Sequence, residues 1–370
     1  MAFLGAILPA WGHHFTEQYV EVGNYFLALN GGLYLATRFA ENLLIRKGIR
    51  WSLIAACLLS CAAMLWLAWF SQPDGPWWRI AGLFFLGASA GTLQSALFQA
   101  IAPIYRHDPA ATVNLAGIFF GLGCFTMALL VAGAYYVYTV PSILILLAVV
   151  PGFFAAAFGR TQFDAPVVRP PSLGGALAEL KRPLAIQFGL LLLLQFANEW
   201  SVAGWLALFL TQRLGMNPSS ALLFLALYWF MLLVGRLAAQ RVLSGAGHGK
   251  VVLVGAASAL LGLAILSFTD NRFGVVSGIV FLGIGFAPVY PLIVEQIGER
   301  FPYYDPVYYH GIFSIAFTGA LLAPAGLGYL AAWLGVRWIM TVPLVGSSLV
   351  FFLLLIVWLE SRLTRKSISP

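Results

Sequence analysis

Eleven apolar runs of membrane-spanning length, parted by short turn signals, constrain this chain more than any other feature. They cover residues 22–45, 51–70, 77–101, 111–134, 140–160, 183–211, 218–243, 249–269, 274–298, 308–333 and 338–359. A run of about 20 apolar residues matches roughly 30 Å of bilayer hydrocarbon when wound as a helix rising about 1.5 Å per residue. Inside that thickness a backbone must satisfy its own polar groups, which leaves helices or a closed barrel. Runs this long and continuous are helices, because barrel strands are half that length and alternate. A soluble fold fails on composition. Of 370 residues, 61% are hydrophobic and 9% charged, against about 45–50% and about 25% in soluble domains. The chain is expected to be an all-α polytopic membrane protein.

Before the first run lies Met1–Trp11, apolar but too short to cross. We number it span 1, so the full runs are spans 2–12. Turn chemistry marks most breaks, as in Gln72-Pro73-Asp74-Gly75-Pro76, Asn217-Pro218 and Ser244-Gly245-Ala246-Gly247. The longest interruption, 161–182, is rich in Pro and charge and reads as a cytoplasmic linker. It divides a six-helix half at 1–160 from a second half and short tail at 183–370. Cys57, Cys61 and Cys124 all sit inside apolar runs, so they read as packing residues and not as a disulfide framework.

The net charge of +7 is an orientation signal. Loops after the even-numbered spans, with the tail, hold fourteen Lys and Arg residues, while the opposite loops hold only Arg79, Arg213, Arg272 and Arg337. Basic residues stay cytoplasmic, which places the N- and C-termini on that side, in a bacterial inner membrane. Without a soluble domain, nucleic acid is excluded as a partner.

The two halves echo each other. Gly82-Leu83-Phe84-Phe85-Leu86-Gly87 in span 4 parallels Gly278-Ile279-Val280-Phe281-Leu282-Gly283 in span 10. Gly32, Ala36, Arg38 and Lys47 parallel Gly235, Ala239, Arg241 and Lys250. Repeated six-helix halves are a mark of transporter folds, whose substrate site lies at the midplane between the repeats. The same alignment leaves span 1 short of its first half. We expect a misassigned start, with about 15–25 further apolar residues encoded upstream in frame to complete the span.

Gly5-Ala6-Ile7-Leu8-Pro9, the basic loop Leu44-Ile45-Arg46-Lys47-Gly48-Ile49-Arg50 and the later Gly235-Arg236-Leu237 resemble the Major Facilitator Superfamily. That resemblance implies its twelve-helix fold, with Arg46, Gly48, Arg50, Gly235 and Arg236 as gating residues. Ile45 replaces the acidic residue usual in that motif. Asn198-Glu199-Trp200-Ser201-Val202-Ala203-Gly204-Trp205, the stretch Asn114 to Gly123, and Gly283-Ile284-Gly285-Phe286-Ala287-Pro288-Val289-Tyr290-Pro291 are similar to the fucose-permease and sugar-transporter branch. Gln94 stands where an acidic residue is usual there, so that branch's proton route does not carry over whole.

Residue chemistry points to the same region. A charge at the bilayer centre costs about 2.5–3.5 kcal/mol on insertion scales, so one that persists marks function. Glu199, in span 7, is the one carboxylate placed deep within a span. With Gln187 at zero and about 100° per residue, Trp205 falls near 0°, Asn198 near 20°, Gln195 near 80° and Glu199 near 120°, one polar and indole face. A carboxyl group held away from water can carry a proton near neutral pH, which makes Glu199 the proton-coupling residue. Amides serve hydroxyls and an indole offers a flat apolar plate. Gln94 and Tyr290, on spans 4 and 10, complete the expected substrate-binding set of Glu199, Asn198, Gln195, Trp205, Gln94 and Tyr290. Asn114 and His310 read as capping or interface residues. His13, His14 and Glu17 do not make a metal site, since adjacent helical residues diverge by about 100°, and no cofactor is expected.

The expected function is secondary active transport of a small solute by alternating access, with a sugar or sugar-like hydroxylated compound favoured and protons as coupling ion. The expected partners are that solute, protons and the lipid bilayer, and the protein acts as a monomer. Export of a drug-like or amphipathic compound is the alternative within the class. An intramembrane enzyme or a non-transporting receptor is the alternative outside it. An enzyme of this kind needs a paired acid and base or a metal cluster, and the sequence offers neither.

Overall fold

The structure, a computed structural model, describes residues 1–13, 18–70, 75–107, 109–163, 178, 181–301 and 312–368. Most of the expected linker at 161–182, together with His14, Glu17 and His310, lies outside the described residues. Within them the chain is helical, and ten helices are long and apolar enough to cross a membrane. Span 1 is the nine-residue helix Ala2–Ala10. Spans 4 to 9 are Pro76–His107, Pro109–Ala134, Val140–Arg160, Pro183–Leu214, Pro218–Ala246 and His248–Phe268. Spans 11 and 12 are Ile312–Leu334 and Trp338–Ile368.

Two elements depart from one run, one helix. Tyr19–Trp69 is a continuous helical stretch of 51 residues, about 76 Å if straight, more than twice the hydrocarbon thickness. It breaks at Gly48, where φ is 79°, a left-handed value that a Cβ would oppose. The break falls in the basic loop and folds the stretch into spans 2 and 3. Span 10 is divided the other way, into Arg272–Phe286 and Val289–Arg300. Pro288, which has no N–H to donate to the preceding turn, sits at the interruption and places Tyr290 just beyond it.

Local chemistry sets the ends. Pro183 and Pro218 open their helices at the first turn, where a missing N–H costs nothing. Asn217 accepts from Ser219 N at 3.1 Å, and Asn271 from Gly274 N at 2.7 Å. Trp69, Trp77 and Trp333 are strongly exposed at span ends, where indoles settle at the bilayer interface.

Faces are set by packing, since both sides of most spans are apolar. On span 6, Ile145, Val149 and Phe153 form an exposed stripe at helical spacing, while Leu144, Leu147 and Ala148 are buried. The exposed stripe has hydrocarbon as its solvent. Span 4 fits span 2 at Gly87, where any Cβ would run into Leu29 O, the close backbone approach that small residues permit between membrane helices. Span 2 also meets span 11, through Asn30 Nδ2 donating to Ala320 O at 2.9 Å and Tyr329 donating to Asn24 at 2.6 Å. Span 5 meets span 8, where Ser219 donates to Ala132 O at 3.4 Å. Span 7 is the most enclosed of the ten spanning helices. Its apolar window is 72% buried against 28% for span 6, and it packs against spans 1, 8, 10, 11 and 12.

Candidate functional site

Enclosure on all sides divides the polar face of span 7 among several neighbours. Asn198 is buried and donates from Nδ2 to Ser347 Oγ of span 12 at 3.2 Å. Trp205, fully buried, donates from Nε1 to Pro324 O of span 11 at 2.9 Å, and its ring lies 5.3 Å from that of Phe26. Gln195 and Glu199, one turn apart, turn toward span 8 instead.

There they meet Arg236, which the sequence reading had placed among the gating residues. Arg236 is only 5% exposed, and Glu199 only 7%. Its guanidinium rests on span 5 at Gly117, where a Cβ would overlap it. Arg236 and Glu199 lie within reach of each other's charge but do not close to an ion pair. The other titratable groups facing the pair are Tyr228 on span 8, Tyr290 on span 10 and Cys124 on span 5. Gln195 approaches the Glu199 carboxyl, yet its Nε2 has no hydrogen-bond partner, and neither do Arg236 Nε and Nη1 or the Tyr228 hydroxyl. Gln195, Glu199, Arg236, Tyr228 and Tyr290 thus form one buried polar cluster between spans 5, 7, 8 and 10.

Beside the cluster lies a partly exposed aromatic group. Phe196 is 5.0 Å from Tyr290 and 5.8 Å from Phe317, and Trp200 stacks on Phe196 at 6.2 Å. Polar donors next to aromatic plates can hold a ligand that is hydroxylated on one side and flat on another. Gln94 is half-buried on span 4. Gly235 packs against Ile284 and Ala287 of span 10. Arg46 is exposed at the Gly48 kink, and Arg50 donates to Gly159 O at the end of span 6.

Sequence reasoning did not single out Tyr228, Phe196 or Phe317, and it grouped Arg236, a base inside span 8, with the gating residues. The signal for Arg236 was present: an in-span base costs as much as an in-span acid. Nothing in the sequence distinguishes Phe196 and Phe317 from the many other phenylalanines.

The profile of the Major Facilitator Superfamily matches residues 1–318. An uncharacterised MFS-type transporter of Yersinia pestis is 29% identical over 157 residues, 42% of this chain and 41% of that protein. The membrane protein MosC of Rhizobium meliloti is 22% identical over 160 residues, 43% of this chain and 39% of that protein. The chain thus spans about two-fifths of the length of the curated relatives it matches. In fold it is similar to the E. coli fucose:proton symporter FucP, with a TM-score of 0.63 at 16% identity over 95% of each chain. It is also similar to the human organic anion transporter MFSD10, with a TM-score of 0.65 at 16% identity over 90% of this chain and 83% of that one. With an all-helical fold of that type and a family match across most of its length, the chain belongs to the Major Facilitator Superfamily.

Proposed function

We propose that the chain is a secondary active transporter that carries a small hydroxylated solute, sugar-like in character, by alternating access. Its halves, 1–160 and 183–370, rock about a midplane site. Glu199 carries the coupling proton, with Gln195, Tyr290 and Gln94 contacting the solute. Asn198 and Trp205 hold span 7 against spans 12 and 11. The loop with Arg46, Gly48 and Arg50 gates the cytoplasmic side. The charge bias of the loops supports an inner-membrane position with both termini cytoplasmic, and the protein works as a monomer.

One observation carries the reading: a carboxylate buried at mid-span, next to an arginine with which it forms no ion pair. A carboxyl group in that setting can exchange a proton as its surroundings change. Among proteins of similar fold, one is a fucose:proton symporter and another an organic anion transporter. At 16% identity the likeness extends to the fold and not to the cargo. The partly exposed aromatic group around Phe196 and Trp200 favours a second reading, export of an amphipathic compound.

Proteoliposomes with an imposed pH gradient test the proposal. The wild type should concentrate its solute along the gradient, and Glu199→Gln should still exchange solute but fail to accumulate it. Accumulation by the variant at the wild-type rate would make Glu199 a structural acid.

A further inference from the structure

The cluster around Glu199 has a property that carriage of a neutral solute leaves unused. The buried polar atoms without partners there are three N–H donors, Arg236 Nε and Nη1 and Gln195 Nε2, and the Tyr228 hydroxyl, which can donate or accept. A guanidinium has five N–H donors, no acceptor and a permanent charge. Its nearest counter-charge, Glu199, stays outside ion-pair distance. The position is built to hold it, because Gly117 leaves the room on span 5 that a side chain would fill.

A buried guanidinium without an acceptor partner is complemented by an acceptor-only group. A hydroxyl could satisfy Gln195 or Tyr228 but would leave the charge uncompensated. A carboxylate accepts on two oxygens, cannot donate when ionised, and matches the fork of an arginine. We propose that Arg236 anchors a carboxylate of the transported solute, flanked by Gln195 and Tyr228, so that the cargo is a hydroxylated organic acid. This deepens the transport reading and rests on it. The donors are enclosed in this conformation, so the acid meets them in the conformation that opens the midplane site.

The test uses the full chain in nanodiscs, titrated with D-glucuronate and D-galacturonate, each beside its neutral sugar. Melting temperature and tryptophan fluorescence are the readouts. The acids should raise the wild-type melting temperature and the neutral sugars should not. Arg236→Lys should keep a weakened response, and Arg236→Gln should lower apparent affinity about ten- to a hundredfold, the effect of losing a charge-assisted pair. Gly117→Ala, which displaces the guanidinium but keeps its charge, should also weaken the acids and decides the matter if Arg236→Gln does not fold. An acid response that survives these changes, a response to neutral sugars alone, or no response to either acid overturns the inference. Gradient-driven uptake of a neutral solute would survive each of those results, so the transport reading fails separately.

Discussion

Removing the Arg236 charge should stabilise the solute-free protein. A buried donor left without an acceptor costs about 1–3 kcal/mol, and Arg236 has two of them, Nε and Nη1. Methionine keeps much of the aliphatic stem and brings no donor. What Arg236→Met loses is the attraction to Glu199, which acts across a gap wider than an ion pair. Once alone, Glu199 can escape its own penalty by holding a proton. We therefore expect a net gain of about 1–3 kcal/mol, read as a higher melting temperature in detergent without solute. The opposite result has a distinct signature. Breaking a true buried ion pair costs about 3–5 kcal/mol. If Arg236→Met loses that much, and Glu199→Gln on the same chain restores it, the two side chains hold the fold as a pair. The argument for an unsatisfied guanidinium then collapses.

Three further outcomes follow from the fold and the proposed cycle. Gly87→Leu should lower stability by about 1–3 kcal/mol, because its side chain would enter the span 2 backbone at Leu29; an unchanged melting temperature would mean that spans 2 and 4 do not approach so closely. Cysteines placed at Gln94 and Tyr290 should react with membrane-impermeant reagents from each side in turn as solute and gradient are varied, and access from one side only would count against alternating access. A reporter fused after Pro370 should be active only in a form that works in the cytoplasm, and periplasmic activity would reverse the orientation read from the loop charges.

How much of this was legible in the sequence depends on the physics of each feature. Span limits were, because bilayer thickness sets a length that composition reveals, and the helices observed keep close to the apolar runs. The chain reversal between spans 2 and 3 was marked by the basic loop around Gly48. Faces were not legible. In water, polarity separates an outer face from an inner one, but Val149 and Leu144 on span 6 differ in exposure and hardly in character. The same limit affected span 7, where a helical wheel groups Asn198, Glu199 and Trp205 although three neighbouring spans share them. The seat of Arg236 on Gly117, more than a hundred residues away, is a contact that no local spacing encodes. The division of span 10 had a local cause, Pro288, two residues before Tyr290.

The contacts also differ in how readily a rocking motion could part them. Spans 2 and 11 are tied by hydrogen bonds from Asn30 to Ala320 O and from Tyr329 to Asn24, and spans 5 and 8 by Ser219 to Ala132 O. The Asn30 bond is buried, and in hydrocarbon a broken bond of this kind has no water to replace it, so parting it costs free energy. Span 1 meets span 7 differently. Gly5 lies against Ala203 and Gly204, with a hydrogen bond from Gln212 to His13 O at 3.1 Å at the rim. Apolar contact between membrane helices is exchanged for contact with lipid or solute at little loss. In the proposed cycle the hydrogen-bonded pairs 2–11 and 5–8 therefore serve as hinge lines, and the contact between spans 1 and 7 is the one that opens. Arg236 touches one hinge line through Gly117 while facing Glu199 on span 7. A cargo charge bound there would act on both the hinge and the coupling residue.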